Sequence, residues 1–206
     1  MRRIGSGVLS IDSAFVEELW RENAALDTRH CCRQRICDPA SGQTQWYATG
    51  SRSRPVSRIR ASTVKDQERV LDIWRGAVDA THHFLTTADR REIEHEVTAF
   101  LPRVPLWLAV DASDCALGFM LLEADRMEAL FIHPLHRGLG IGRQLVQHAL
   151  TFNEAITTVV NEQNLQAVGF YGHLGFKRTG YSTRDQQRRP YPLIHLRKSR
   201  DTIPSK

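Results

Sequence analysis

The chain has 206 residues, 41% hydrophobic and 25% charged, near globular averages, so at least one packed core is expected. No apolar run approaches the ~18 residues that span a bilayer, and the start MRRIGSGVLSIDSAF is too broken an apolar stretch for a secretory signal. The net charge of +5 sits in the flanks: residues 57–181 hold 13 Lys+Arg and 15 acids, residues 182–206 hold 7 and 2, which argues against a nucleic-acid-binding face on the main segment.

Residues 1–56 read as an N-terminal extension, partly helical or loosely ordered. Ser13 can cap a helix through Phe15, Val16, Leu19 and Trp20, and the stretch SGQTQWYATGSRSRPVSR has the composition of a linker. Between them lie Cys31, Cys32 and Cys37 beside His30. This cluster lacks the C-x2-C spacing and second ligand pair of a structural zinc site, so no metal is expected. Unpaired thiols point to the reducing cytoplasm.

A regular pattern starts at residue 57. A short strand, 57–61, precedes Thr63, which with Asp66 resembles a capping box for a helix burying Val70, Ile73, Trp74, Ala77 and Val78. A second helix starts after Thr86 or Thr87, carries Ile93, Val97, Phe100 and Leu101, and stops at Pro102. Apolar runs at 105–110, 116–122 and 127–132, separated by turn residues, read as an antiparallel meander. A glycine loop follows, then a helix with Ile141, Leu145, Val146, Ala149 and Leu150 on one face. The β-branched run 156–160 makes another strand, Asn164 caps a helix over 165–174, and strands at 176–182 and 193–197 complete the set. The order β-α-α-β-β-β-α-β-α-β-β predicts a mixed α/β fold with helices on both faces of one sheet. The domain is expected over 57–198, with 199–206 a flexible tail.

The glycine loop opening a helix presents unpaired N–H groups at the positive end of the helix dipole, a receptor for phosphate oxygens. A Walker A string is absent. The dinucleotide fingerprint fails at Arg143, where its third glycine belongs, although Glu162 stands about where a ribose ligand would. An antiparallel meander before the loop is also wrong for that fold.

Arg137-Gly138-Leu139-Gly140-Ile141-Gly142 instead resembles R/Q-x-x-G-x-G/A, the pyrophosphate loop of the GNAT acyl-CoA-dependent N-acetyltransferases. Asn164-x-x-Ala167-x-x-x-Tyr171-x-x-x-Gly175-Phe176 resembles that family's second signature, and the two fall on consecutive helices. The resemblance covers residues 57–197 and leaves 1–56 unexplained. VDATHHFL, ALFIHP and VNEQNLQAVGFYGHLGFK are similar to stretches of a small bacterial member.

The resemblance implies the GNAT fold, a central and mostly antiparallel mixed sheet flanked by helices, with acetyl-CoA as cosubstrate. Backbone N–H groups of Gly138, Leu139, Gly140, Ile141, Gly142 and Arg143 would hold the pyrophosphate, with the charge of Arg137 beside it. The strand carrying Phe131 and Ile132 would splay from its parallel neighbour and pair with the pantetheine arm, which Asn164 would also face. Tyr171 would be the general acid for the departing thiolate, and Phe170 would face the core. For the general base, Glu128 could reach the acceptor cleft through a water, or equally be a solvent-facing strand acid. His82 or His83 could meet an ammonium at the helix junction. His133 and His136 read as exposed or phosphate-proximal, and Cys115 as no nucleophile, so transfer is direct. The acceptor is an amine, a protein lysine or a small molecule; no membrane partner is expected, and a homodimer stays open.

Overall fold

The computed structural model describes residue 56 and residues 58–200. The helix expected after Ser13, the Cys31, Cys32 and Cys37 cluster, and residues 201–206 lie outside them.

Seven strands form one sheet: β1 Arg58–Ala61, β2 Trp107–Val110, β3 Ala116–Glu123, β4 Arg126–Ile132, β5 Ala155–Asn161, β6 Lys177–Ser182 and β7 Leu193–Ser199. The α-helices are α1 Gln67–Asp79, α2 Thr87–Phe100, α3 Ile141–Phe152 and α4 Leu165–His173. A short 3-10 turn, Val64–Asp66, leads into α1; the Asp66 carboxylate accepts from the Thr63 N–H at 2.8 Å and the Thr63 hydroxyl at 2.9 Å. Thr86 caps α2 by accepting from the Asp89 N–H at 3.1 Å. The strand expected from 105 starts at Trp107, since Pro105 has no N–H to give a ladder. Among the described residues no helix is long and apolar enough to cross a membrane.

Helices cover both faces. α1 and α2 pack Ile73, Trp74, Ile93 and Val97 onto Leu108, Phe119 and Leu121; α3 packs Ile141, Leu145 and Ala149 onto Met120, Met127 and Ile156. β3 is therefore buried on both sides, its residues alternating between the two cores. The sheet order is β1-β2-β3-β4-β5-β7-β6, with β7 inserted between β5 and β6. Burial explains the insertion. β7 carries Leu193, Ile194 and Leu196 inward, whereas β6 is polar and exposed and makes a tolerable edge.

Two irregularities in β4 shape the site. Its register against β3 shifts between Leu121↔Ala129 and Leu122↔Met127, so Glu128 is the extra residue of a bulge. Its parallel register with β5 consists of Arg126↔Thr157 alone.

Candidate active site

Around that single pair, the Thr157 N–H donates to the carbonyl of Asp125, just before β4, and the Thr158 hydroxyl donates to the Met127 carbonyl, both at 2.8 Å. Beyond Met127 no ladder joins the strands among the described residues, so one edge of Ala129, Leu130, Phe131 and Ile132 faces a cleft. A cavity of about 400 Å³ occupies it, lined by Leu130, Phe131 and Ile132 on one side and by Ala167, Phe170 and Tyr171 of α4 on the other. An extended polyamide arm can take hydrogen bonds from such an unpaired edge as a strand would.

The loop before α3 closes one end. Gly138 (φ +75°) and Gly140 (φ +79°) are both in the left-handed region, and Gly140 directly precedes the first helical residue, turning the N–H groups of the first turn of α3 outward. Gly142 is required for a different reason. A Cβ there would come within 2.9 Å of Cζ of Phe170, so α3 and α4 approach closely across the cavity wall. Phe170, expected to face the core, packs partly on it and also lines the cavity.

Of the expected anion-binding residues, Gly138, Gly140, Ile141, Gly142 and Arg143 line the cavity, whereas the Leu139 side chain is 45% exposed and turned away. Arg137 spans the opening: one guanidinium nitrogen donates to the Ala77 carbonyl at 3.2 Å and the other to Gln166 Oε1 at 3.4 Å. Burial lowers its pKa, but guanidinium stays charged. Asn164 caps α4 by accepting from the Ala167 N–H at 3.1 Å, which leaves its amide NH₂ beside the cavity. His136 lines the cavity and His133 caps the loop's short 3-10 turn, accepting from the Leu135 N–H. Burial lowers both rings' pKa, so they are neutral near pH 7.

Tyr171 is buried at the inner end of the cleft, edge-on to Phe170 at 5.1 Å and to Phe176 at 5.0 Å. Burial pushes its phenol up to about 12, the Thr158 hydroxyl opposing the rise. The phenol is protonated at neutral pH and can donate. Glu128 is buried too, its carboxylate 2.5 Å from Nε of Arg126, and it is not among the residues lining the cavity. His82 does line the cavity, while His83 is exposed. Glu162 accepts from the Tyr181 hydroxyl at 2.9 Å and plays no part in the loop.

A mixed sheet with a parted β4–β5 seam, a glycine loop at one end and a protonated tyrosine at the other defines a site built for an acyl-carrying nucleotide thioester. Comparison with known proteins agrees. The Acetyltransferase (GNAT) domain matches residues 75–192, and the chain belongs to that family of acetyl-CoA-dependent N-acetyltransferases. It is 54% identical over 138 residues to the peptidyl-lysine N-acetyltransferase YjaB of Salmonella typhimurium, covering 67% of this chain and 95% of that protein. The YjaB of Escherichia coli is 52% identical over 141 residues, covering 68% and 96%. The solution structure of apo-form Escherichia coli YjaB matches at a TM-score of 0.66 and 51% identity, covering 68% of this chain and 95% of that one.

Proposed function

We propose that the protein moves the acetyl group of acetyl-CoA directly to the ε-amine of a lysine in another protein. The single observation that carries this reading is the seam that opens after Arg126↔Thr157 and ends on a protonated Tyr171. The choice of lysine draws on the two relatives named as peptidyl-lysine N-acetyltransferases and on the acid excess of residues 57–181, which suits a cationic acceptor.

In this proposal the N–H groups of Gly138, Leu139, Gly140, Ile141, Gly142 and Arg143 bind the pyrophosphate, with Arg137 adding charge. Leu139 contributes only its backbone, for which an outward side chain is no obstacle. The backbone of Phe131 and Ile132 and the Asn164 amide hold the arm. The amine nitrogen attacks the thioester carbon; its C–N bond forms as the C–S bond breaks, and the thiolate takes the phenolic proton of Tyr171. The proton lost by the amine passes to Glu128, relayed through water because that carboxylate does not itself line the cavity. The Cys115 thiol is buried and in no disulfide, which suits the reducing cytoplasm, where we place the reaction.

A thiol-release assay with acetyl-CoA against lysine peptides, polyamines and other small amines tests the reading. Turnover greatest on lysine peptides supports it; turnover confined to small amines overturns the protein-lysine assignment. Turnover on no acceptor, with no effect of Tyr171→Phe, overturns the mechanism.

A further inference from the structure

The cavity is walled beyond the end of α1 by Thr81 and His82. His82 also borders a second, small cavity with Phe84, Asn161, Asp185 and Tyr191, and it is the one side chain common to the two linings. It therefore stands between the cleft that takes the thioester arm and the space beneath the β6–β7 loop.

The proton on this ring can be placed. Thr81 Oγ1 lies 2.8 Å from the Ala77 carbonyl and 2.9 Å from His82 Nδ1. A carbonyl only accepts, so with the single hydroxyl proton given to Ala77 the 2.9 Å contact is made by a proton on Nδ1 donated to Thr81. The same carbonyl also accepts from Arg137 at 3.2 Å. Burial pushes the ring's pKa down to about 4; the Val78 carbonyl opposes this, and the nearby Arg137, Arg90 and His83 add to it. A neutral imidazole with its proton on Nδ1 has a bare lone pair on Nε2, and among the described residues Nε2 receives no hydrogen bond.

We infer that Nε2 of His82 accepts a hydrogen bond from the acceptor amine and so orients the amine's lone pair toward the thioester carbonyl. A primary amine in its neutral form has two N–H donors and one lone pair, so one donor can be tied down while the lone pair attacks. The ring is an orienting group and not a proton store: a base of pKa about 4 does not keep a proton taken from an amine. His82 and Glu128 thus divide the work, one holding the nucleophile and the other receiving its proton. The inference rests on the amine-transfer reading above.

Two measurements on the full chain test it. Imidazole ¹⁵N NMR at pH 7 should show a pyrrole-like Nδ1 and a pyridine-like Nε2 for His82, unchanged down to about pH 5; a protonated Nε2 overturns the proposal. In steady-state kinetics, His82→Asn places its amide near Nδ1 and leaves no acceptor at Nε2, whereas His82→Gln brings its amide oxygen close to the Nε2 position. His82→Asn should lose about tenfold or more in kcat/KM for the amine, with KM for acetyl-CoA within about twofold, and His82→Gln should recover most of it. Equal losses in both variants, or a loss carried by acetyl-CoA binding, mean that the ring is only a wall and overturn the inference. Wild-type failure on every amine would instead defeat the transfer reading, which the NMR measurement does not depend on.

Discussion

The Thr158 hydroxyl donates to the Met127 carbonyl at 2.8 Å, the last tie between β5 and β4 before the strands part. Thr158 is 5% exposed, so Thr158→Val leaves a buried carbonyl without its partner in a side chain of nearly unchanged shape. The expected cost is about 1–3 kcal/mol in denaturant unfolding. An unchanged stability would mean that this bond contributes nothing to tying β5 to β4 at the point where they part.

Gly142→Ala should separate stability from binding. Alanine gains about 1 kcal/mol of helix propensity over glycine, and crowding against a ring 2.9 Å away costs about 1–3 kcal/mol, so the two largely offset. The ring that must give way lines the cavity, so acetyl-CoA affinity should fall about tenfold by calorimetry, with Phe170→Leu in the same chain restoring part of it. Affinity within about twofold of wild type would show that Phe170 yields without entering the cleft.

Local chemistry and the antiparallel meander of β2, β3 and β4 were legible in the sequence, and the placing of the later strands was not. Thr63 with Asp66 and Thr86 before α2 act as caps because each needs only its own few residues. Gly138 and Gly140 announced a loop of unusual backbone, and both have positive φ. The insertion of β7 between β5 and β6 left no local signal, since it follows from which strand buries more apolar surface. The parting of β4 from β5 is an absence of pairs, which only family resemblance could suggest. Glu128 shows a subtler limit. Simple alternation set it opposite Ala129, but a bulge at that position breaks the alternation, and nothing in the string MEALFI marks one. Gly142 was legible as a motif glycine; that its neighbour is Phe170 on another helix was not.

Acid should act through Asp66. Burial pushes its pKa up, but the hydrogen bond from Arg60, with those from Thr63, outweighs this and leaves it below the ordinary carboxylate value. A depressed folded pKa contributes stability that is present above the unfolded pKa and lost as pH falls through the folded one. Asp66→Asn should therefore cost about 1–2 kcal/mol at pH 7, the capping bond included, and the gap to wild type should shrink as pH falls below about 4. Unfolding curves at pH 7, 5 and 3 check this, and a gap that stays constant would show that the charge of Asp66 contributes nothing.

Tyr171→Phe is the variant whose consequences are most distinct. Losing the phenolic proton should lower kcat about 100-fold or more, while KM for acetyl-CoA stays within about twofold, because the ring and its contacts with Phe170 and Phe176 remain. The pH dependence of stability gives an independent reading. The folded pKa, about 12, lies above the ordinary value of 10.0, so the folded state holds its proton longer than the unfolded chain. Stability from this group is fully present below pH 10 and is lost as pH rises from there through about 12. Wild type should thus lose stability more steeply than Tyr171→Phe across that interval; Tyr181 and Tyr191, whose phenols are also raised, are common to both chains and cancel in the difference. Parallel alkaline curves would place the Tyr171 hydroxyl in contact with water, and an unchanged kcat would remove it from the proton transfer.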